Sequence, residues 1–217
     1  MNLNQYIDHT LLKSTACEAD IRRLCEEART HHFASVCINP YFVPLAHELL
    51  VGSGVKVCTV IGFPLGQNTP AVKVFETEQA YNDGCDEFDM VINIGALKDG
   101  MNDYVRDEIA AVVKAAKGRL VKVIIETFLL TDEEKARVVK LACEAGANFV
   151  KTCTGFSGGA ANVHDVALMK ANVTGGVEVK ASAGIRSYAD AKALIEAGAT
   201  RLGTSAGAVI IEESKNA

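Results

Sequence analysis

Short runs that are apolar almost throughout alternate with longer stretches whose apolar positions recur every three or four residues, from one end of the chain to the other. A short continuous apolar run reads as a strand covered on both faces, and the longer period as a helix with one face on a core. The runs predict strands over Tyr6–Thr10, Ser35–Asn39, Val55–Gly62, Glu87–Asn93, Leu120–Thr127, Asn148–Thr154, Glu178–Ser182 and Arg201–Thr204. The periodic segments predict helices over Glu18–Thr30, Tyr41–Val51, Pro70–Asp83, Asn102–Lys117, Thr131–Ala145, Asn162–Lys170 and Tyr188–Ala197. Thr131 and Glu134 have the spacing of a capping box, and Gly146 and Gly198 stand where a glycine ends a helix.

Strands and helices alternating over 217 residues fit one α/β domain, a (β/α)8 TIM barrel covering the whole chain. A doubly wound open sheet is the other arrangement of such units, but no Gly-x-Gly-x-x-Gly fingerprint follows the first strand. A barrel puts reactive groups at the C-terminal ends of its strands. Polar residues gather at those places: Asp8, His9 and Thr10, then Asn39, Asp89 and Asn93, Glu126 and Thr127, Lys151 and Lys180. If Val150 and Val179 face the helices, alternation turns both lysines toward the barrel axis.

Composition narrows the function. The chain is 49% hydrophobic with a formal net charge of -5, and its basic residues are scattered among acids, so no nucleic-acid footprint is present. No apolar run approaches the roughly 20 residues of a membrane span, and Met1-Asn2-Leu3-Asn4 lacks the blocks of a signal peptide. A cytoplasmic protein without nucleic-acid or membrane partners is expected. Seven cysteines without paired spacing read as reduced thiols, with Cys37, Cys58 and Cys153 as small apolar residues in strands. His31, His32, His47 and His164 make no His-x-x-x-His set and no Cys-x-x-Cys occurs, so no metal is expected.

The lysines carry the chemistry. Lys151 in Phe149-Val150-Lys151-Thr152 and Lys180 in Val179-Lys180-Ala181 interrupt runs that otherwise read as buried strand. An ammonium out of water is costly without compensation; a lysine at a strand end can also bury its stem and keep its head wet. If both project inward from neighbouring strands, like-charge repulsion and desolvation are expected to lower the pKa of one of them, giving an amine able to form an imine. Spacing does not say which. Asp89, inside Phe88-Asp89-Met90-Val91, is the candidate for moving protons, or for neutralising a lysine. Glycine-rich stretches after the late strands, around Gly155, Gly184 and Gly203, suit a phosphate held on backbone N–H groups.

Several motifs together are similar to one family. They are Ile7-Asp8-His9-Thr10, Cys37-Ile38-Asn39-Pro40, Gly62-Phe63-Pro64-Leu65-Gly66, Asp89-Met90-Val91-Ile92-Asn93, Lys122-Val123-Ile124-Ile125-Glu126-Thr127, Lys151-Thr152-Cys153-Thr154-Gly155-Phe156 and Val179-Lys180-Ala181-Ser182-Ala183-Gly184-Ile185-Arg186. Over nearly its whole length the chain resembles the deoxyribose-phosphate aldolases, Schiff-base enzymes with a (β/α)8 barrel and no metal or cofactor. The resemblance implies reversible cleavage of 2-deoxy-D-ribose 5-phosphate to D-glyceraldehyde 3-phosphate and acetaldehyde. It implies Lys151 as the imine-forming residue, Lys180 as its pKa modifier and Asp89 as proton relay. It also implies phosphate contacts at Gly155, Gly184, Arg186, Gly203 and Ser205, substrate contacts at Thr10 and Asn39, and a homo-oligomer of two or more copies. Three departures stand out: Cys153 where serine is usual, Ala183 where glycine precedes Gly184, and an ending at Asn216-Ala217 without the tyrosine some members carry. The methyl of Ala183 is expected to hinder a left-handed backbone there.

Overall fold

The structure, a computed structural model, describes residues 2–216, so Met1 and Ala217, with the chain end where a tyrosine was sought, lie outside it. Strands β1 (Ile7–Leu11), β2 (Ser35–Ile38), β3 (Lys56–Ile61), β4 (Glu87–Val91), β5 (Leu120–Ile124), β6 (Phe149–Lys151), β7 (Glu178–Ser182) and β8 (Arg201–Thr204) pair in chain order, all in parallel. The pairing of β8 with β1, Asp8 opposite Gly203, closes the ring. Around it run α1 (Glu18–His31), α2 (Val43–Leu50), α3 (Pro70–Asn82), α4 (Ile94–Lys98), α5 (Asn102–Ala115), α6 (Asp132–Glu144), α7 (Val163–Asn172), α8 (Tyr188–Glu196) and α9 (Gly207–Ser214).

Alternation along each strand divides the core. Val36, Val57, Val121, Val123, Val150, Val179 and Leu202 are buried in the apolar shell between barrel and helices. The intervening residues fill the barrel: Leu12, Cys37, Cys58 and Val60 form a small apolar cluster on the β1–β3 side, and charged groups occupy the rest. The capping box forms as its spacing predicts, the Glu134 N–H donating to the Thr131 hydroxyl at 3.3 Å and the Thr131 N–H to Glu134 at 2.9 Å. Gly146 and Gly198 take positive φ behind α6 and α8.

The elements differ from expectation at the C-terminal ends of the strands. β4, β5 and β6 stop before Asn93, Thr127 and Cys153. Asn93 caps α4, accepting from the Ala96 N–H at 3.1 Å, and Glu126 turns left-handed at φ 55°. The single helix expected from Tyr41 is a 3-10 turn, Pro40–Phe42, followed by α2. α9 was not among the predicted helices; it opens on Gly207, which lets the helix lie on β1, since a Cβ there would sit 2.9 Å from the Ile7 side chain. His9 faces outward, its Nε2 2.7 Å from Glu27 on α1, and so is no part of the barrel interior.

Candidate active site

β6 and β7 pair with Lys151 opposite Lys180, and β4 and β5 pair with Asp89 opposite Lys122. Their side chains meet inside the barrel, where an unpaired charge is expensive and a paired one requires close, complete partners. The Lys151 and Lys180 Nζ atoms lie 2.8 and 2.7 Å from the same Asp89 oxygen, Oδ2. Lys122 Nζ is 2.8 Å from Asp89 Oδ1 and 2.6 Å from Glu87. Lys180 also reaches Asp8 Oδ2 at 2.6 Å. Toward the N-terminal end, Arg201 bridges Asp8 and Glu87, and Ser35 donates to Asp8 at 2.7 Å.

Four cations, Lys122, Lys151, Lys180 and Arg201, therefore face three carboxylates, Asp8, Glu87 and Asp89. Burial opposes the charge on Asp89, yet Lys122, Lys151 and Lys180 outweigh it and hold its carboxyl far below the usual range. Burial presses Lys180 toward neutrality, and Asp8 with Asp89 overcomes it, raising its pKa above that of a free lysine. Lys122 follows the same pattern through Asp89, Cys58 and Glu87. A carboxylate thus stands on both nitrogens, and of the two lysines Lys180 is stabilised in its charged form. With every group ionised the cluster keeps one positive charge unmatched.

Above the cluster, at the C-terminal ends of the strands, lies a cavity of about 200 Å³. Lys151, Thr10, Gly155, Gly184, Gly203 and Ser205 line it, together with Ala183 and Phe156. The Phe156 ring meets Phe63 edge-on, with centroids 5.2 Å apart. Lys180 and Asp89 lie beneath, fully buried. Two expected site residues stand apart. Asn39 spends its amide on the Leu12 carbonyl at 3.3 Å, and Arg186 is exposed on the turn before α8, its backbone N–H on Asp190; neither lines the cavity. Ala183 adopts φ 76°, so the methyl leaves the left-handed conformation in place. Cys153 is buried, its sulfur 3.5 Å from the Thr127 hydroxyl, and burial raises its pKa.

Lys122, Glu87 and Arg201 were not among the sequence candidates for the site, and Asp8 was noted only as a polar residue of the first strand. Lys122 carried the same signal as the other two lysines, a cation inside Leu120-Val121-Lys122-Val123-Ile124, but no glycine loop follows it. The structure also assembles two groups of metal-type donors that no spacing motif announces: Cys37, Cys58 and Asp89, and Asp132, His164 and Asp165. In both, ammonium groups already hold the carboxylates, Lys122, Lys151 and Lys180 in the first and Lys135 in the second.

Comparison with known proteins agrees with this geometry. The family model described as DeoC/LacD family aldolase matches residues 3–211. A deoxyribose-phosphate aldolase of Streptococcus sanguinis (strain SK36) is 60% identical over 212 residues, covering 98% of this chain and 96% of that protein. One of Clostridium tetani (strain Massachusetts / E88) is 56% identical over 216 residues, covering 99% of this chain and all (100%) of the other. The solved deoxyribose phosphate aldolase from Aeropyrum pernix, described as having a unique tetrameric structure, superposes with a TM-score of 0.92 at 36% identity, over 98% of this chain and 91% of that one. With a paired lysine and aspartate cluster under a glycine-lined cavity, and a match along almost its full length, the chain belongs to the DeoC/LacD family of aldolases.

Proposed function

We propose that this chain cleaves 2-deoxy-D-ribose 5-phosphate reversibly to D-glyceraldehyde 3-phosphate and acetaldehyde, through an imine on Lys151. The observation that carries the reading is the meeting of Lys151 and Lys180 on one oxygen of Asp89, with only Lys151 opening into the cavity. Lys151 has one carboxylate partner where Lys122 and Lys180 each have two, so its nitrogen is the least committed of the three.

The amine adds to the C1 aldehyde of the open sugar and water leaves, giving a protonated imine. That cation draws the electrons of the C2–C3 bond as the C3 hydroxyl loses its proton, so D-glyceraldehyde 3-phosphate departs and an enamine remains. Protonation of the enamine at C2 and hydrolysis release acetaldehyde and restore Lys151. Asp89, acting with Lys180 and water, is the group assigned to carry these protons. The backbone N–H groups near Gly155, Gly184, Gly203 and Ser205 are assigned to the phosphate; Thr10 is assigned to the sugar. Asn39 and Arg186 act only if their loops move toward the cavity. The reaction as drawn needs no metal or cofactor.

We further propose a cytoplasmic homo-oligomer of two or more copies. The tetrameric relative from Aeropyrum pernix supports association, and light scattering of the purified protein tests it. No helix among the described residues is long and apolar enough to cross a membrane.

Incubation with acetaldehyde and borohydride should add a two-carbon unit to Lys151, read by peptide mass. Modification confined to other lysines would defeat the assignment. Lys151→Ala should abolish turnover with the fold intact by circular dichroism.

A further inference from the structure

Glu126 lies two residues past β5 with φ 55° and ψ 66°, a left-handed backbone that non-glycine residues seldom take. Its side chain is buried, 1% exposed, and no cation is among its partners. Oε2 accepts from the Thr154 N–H at 3.1 Å, from the Thr154 hydroxyl, and from the Ser157 hydroxyl at 3.3 Å. Oε1 is buried with no hydrogen-bond partner among the described residues. Such a residue costs free energy twice, through its backbone and through its desolvated carboxylate, and persists only where surrounding structure demands it.

What it holds is the loop between β6 and α7. The Thr154 hydroxyl that donates to Glu126 accepts from the Phe156 N–H at 3.1 Å, fixing Gly155 between them. The two segments also fit closely further on, where a Cβ on Gly159 would lie 2.4 Å from Phe128. That loop in turn sets the next one: the Ala161 N–H donates to the Ala183 carbonyl at 3.0 Å, and a Cβ on Gly184 would lie 2.6 Å from Ala160. Gly155, Ala183 and Gly184 are the cavity wall on this side, whereas Glu126 does not line the cavity. A carboxylate inside it would repel a phosphate; beneath the loop it acts only through the backbone it aligns.

We infer that Glu126 is the positioning residue of the anion-binding wall, setting the Gly155 loop and, through it, the Ala183–Gly184 turn. The inference rests on the phosphorylated substrate proposed above. It does not involve the cluster around Asp89.

The test compares wild type, Glu126→Ala, Glu126→Gln and Thr154→Val on 2-deoxyribose 5-phosphate and on unphosphorylated 2-deoxyribose, with inorganic phosphate affinity measured by calorimetry. Glu126→Ala should raise KM for the phosphorylated sugar and weaken phosphate binding, each about tenfold, while kcat/KM for 2-deoxyribose stays within about twofold. Glu126→Gln should remain near wild type, because its amide oxygen can take the three bonds of Oε2 and its NH2 the place of Oε1. Thr154→Val, which keeps the side-chain shape, should repeat the phosphate-specific loss and serves if the alanine variant does not fold. Equal loss on both sugars with unchanged phosphate affinity would overturn the inference and leave the aldolase reading standing. A wild type that binds phosphate but does not cleave the sugar phosphate would remove that reading, and the calorimetric comparison would still decide the role of Glu126.

Discussion

Ala183 is held at φ 76° on the wall of the cavity, with its carbonyl accepting from the Ala161 N–H. For an L-residue this region costs about 1–2 kcal/mol, and glycine escapes it at the price of a more mobile unfolded chain, about 0.5–1 kcal/mol. The first effect is the larger, so Ala183→Gly should raise unfolding stability by about 0.5–1 kcal/mol, read as a higher urea midpoint with an unchanged slope. A lower midpoint would mean that the alanine is not strained. That alanine replaces glycine here was plain in the sequence; that the loop would keep the left-handed turn regardless was not. One backbone angle is set by contacts from the neighbouring loop, which lies more than twenty positions away in the chain.

At the scale of elements, α3 and α5 pin the tops of β3 and β4 through an ion pair outside the barrel. Lys73 Nζ lies 2.8 Å from Glu108 Oε1 and donates to the carbonyls of Gly66 and Val91 at 2.7 Å each; both side chains are fully buried. Glu108 also accepts from the Asn93 N–H at 3.0 Å. Burial moves both groups toward neutrality, lowering Lys73 and raising Glu108, against their mutual attraction. Removing one partner strands the other, so Lys73→Met should cost about 3–5 kcal/mol in chemical denaturation. Lys73→Met with Glu108→Leu should recover most of it, and single-variant losses that simply add in the double variant would show that the two groups act independently. The order of strands and helices was legible because apolar runs and helical periods are local properties of the chain. Lys73 was not, because a lysine in an amphipathic helix reads as solvated until the neighbouring helix is known. Likewise α9 was not among the predicted helices; its first residue, Gly207, serves close packing on β1.

At the scale of the whole molecule, closing the barrel brings charges together that no local pattern links. Asp89 meets Lys151 across 62 positions and Lys180 across 91. The sequence showed that these residues sat oddly in buried strands; it could not show that one carboxylate oxygen serves both lysines, or that Lys122, Asp8, Glu87 and Arg201 complete the set. This cluster ties the pH dependence of folding to the site. Asp89 has a folded pKa far below its unfolded value near 3.9, so its contribution is present above that value and is lost as the pH falls. Below roughly pH 4 the unfolded chain takes up a proton that the folded carboxylate refuses, and the contribution of this one group declines by about 1.4 kcal/mol per pH unit. Lys180 and Lys122 are raised, so their contributions are present below the free lysine value near 10.4 and fade above it. Other groups titrate as well, Glu76 and Glu108 in the opposite sense because burial raises them, so the total slope does not isolate the site. The difference between wild type and Asp89→Asn does. Measured by urea unfolding, that difference should hold level between about pH 5 and 9 and shrink by roughly 2 kcal/mol between pH 4 and 2.5. A difference that stayed constant down to pH 2.5 would show that Asp89 is not held ionised by its lysines, and the network beneath Lys151 would have to be redrawn with a proton on it.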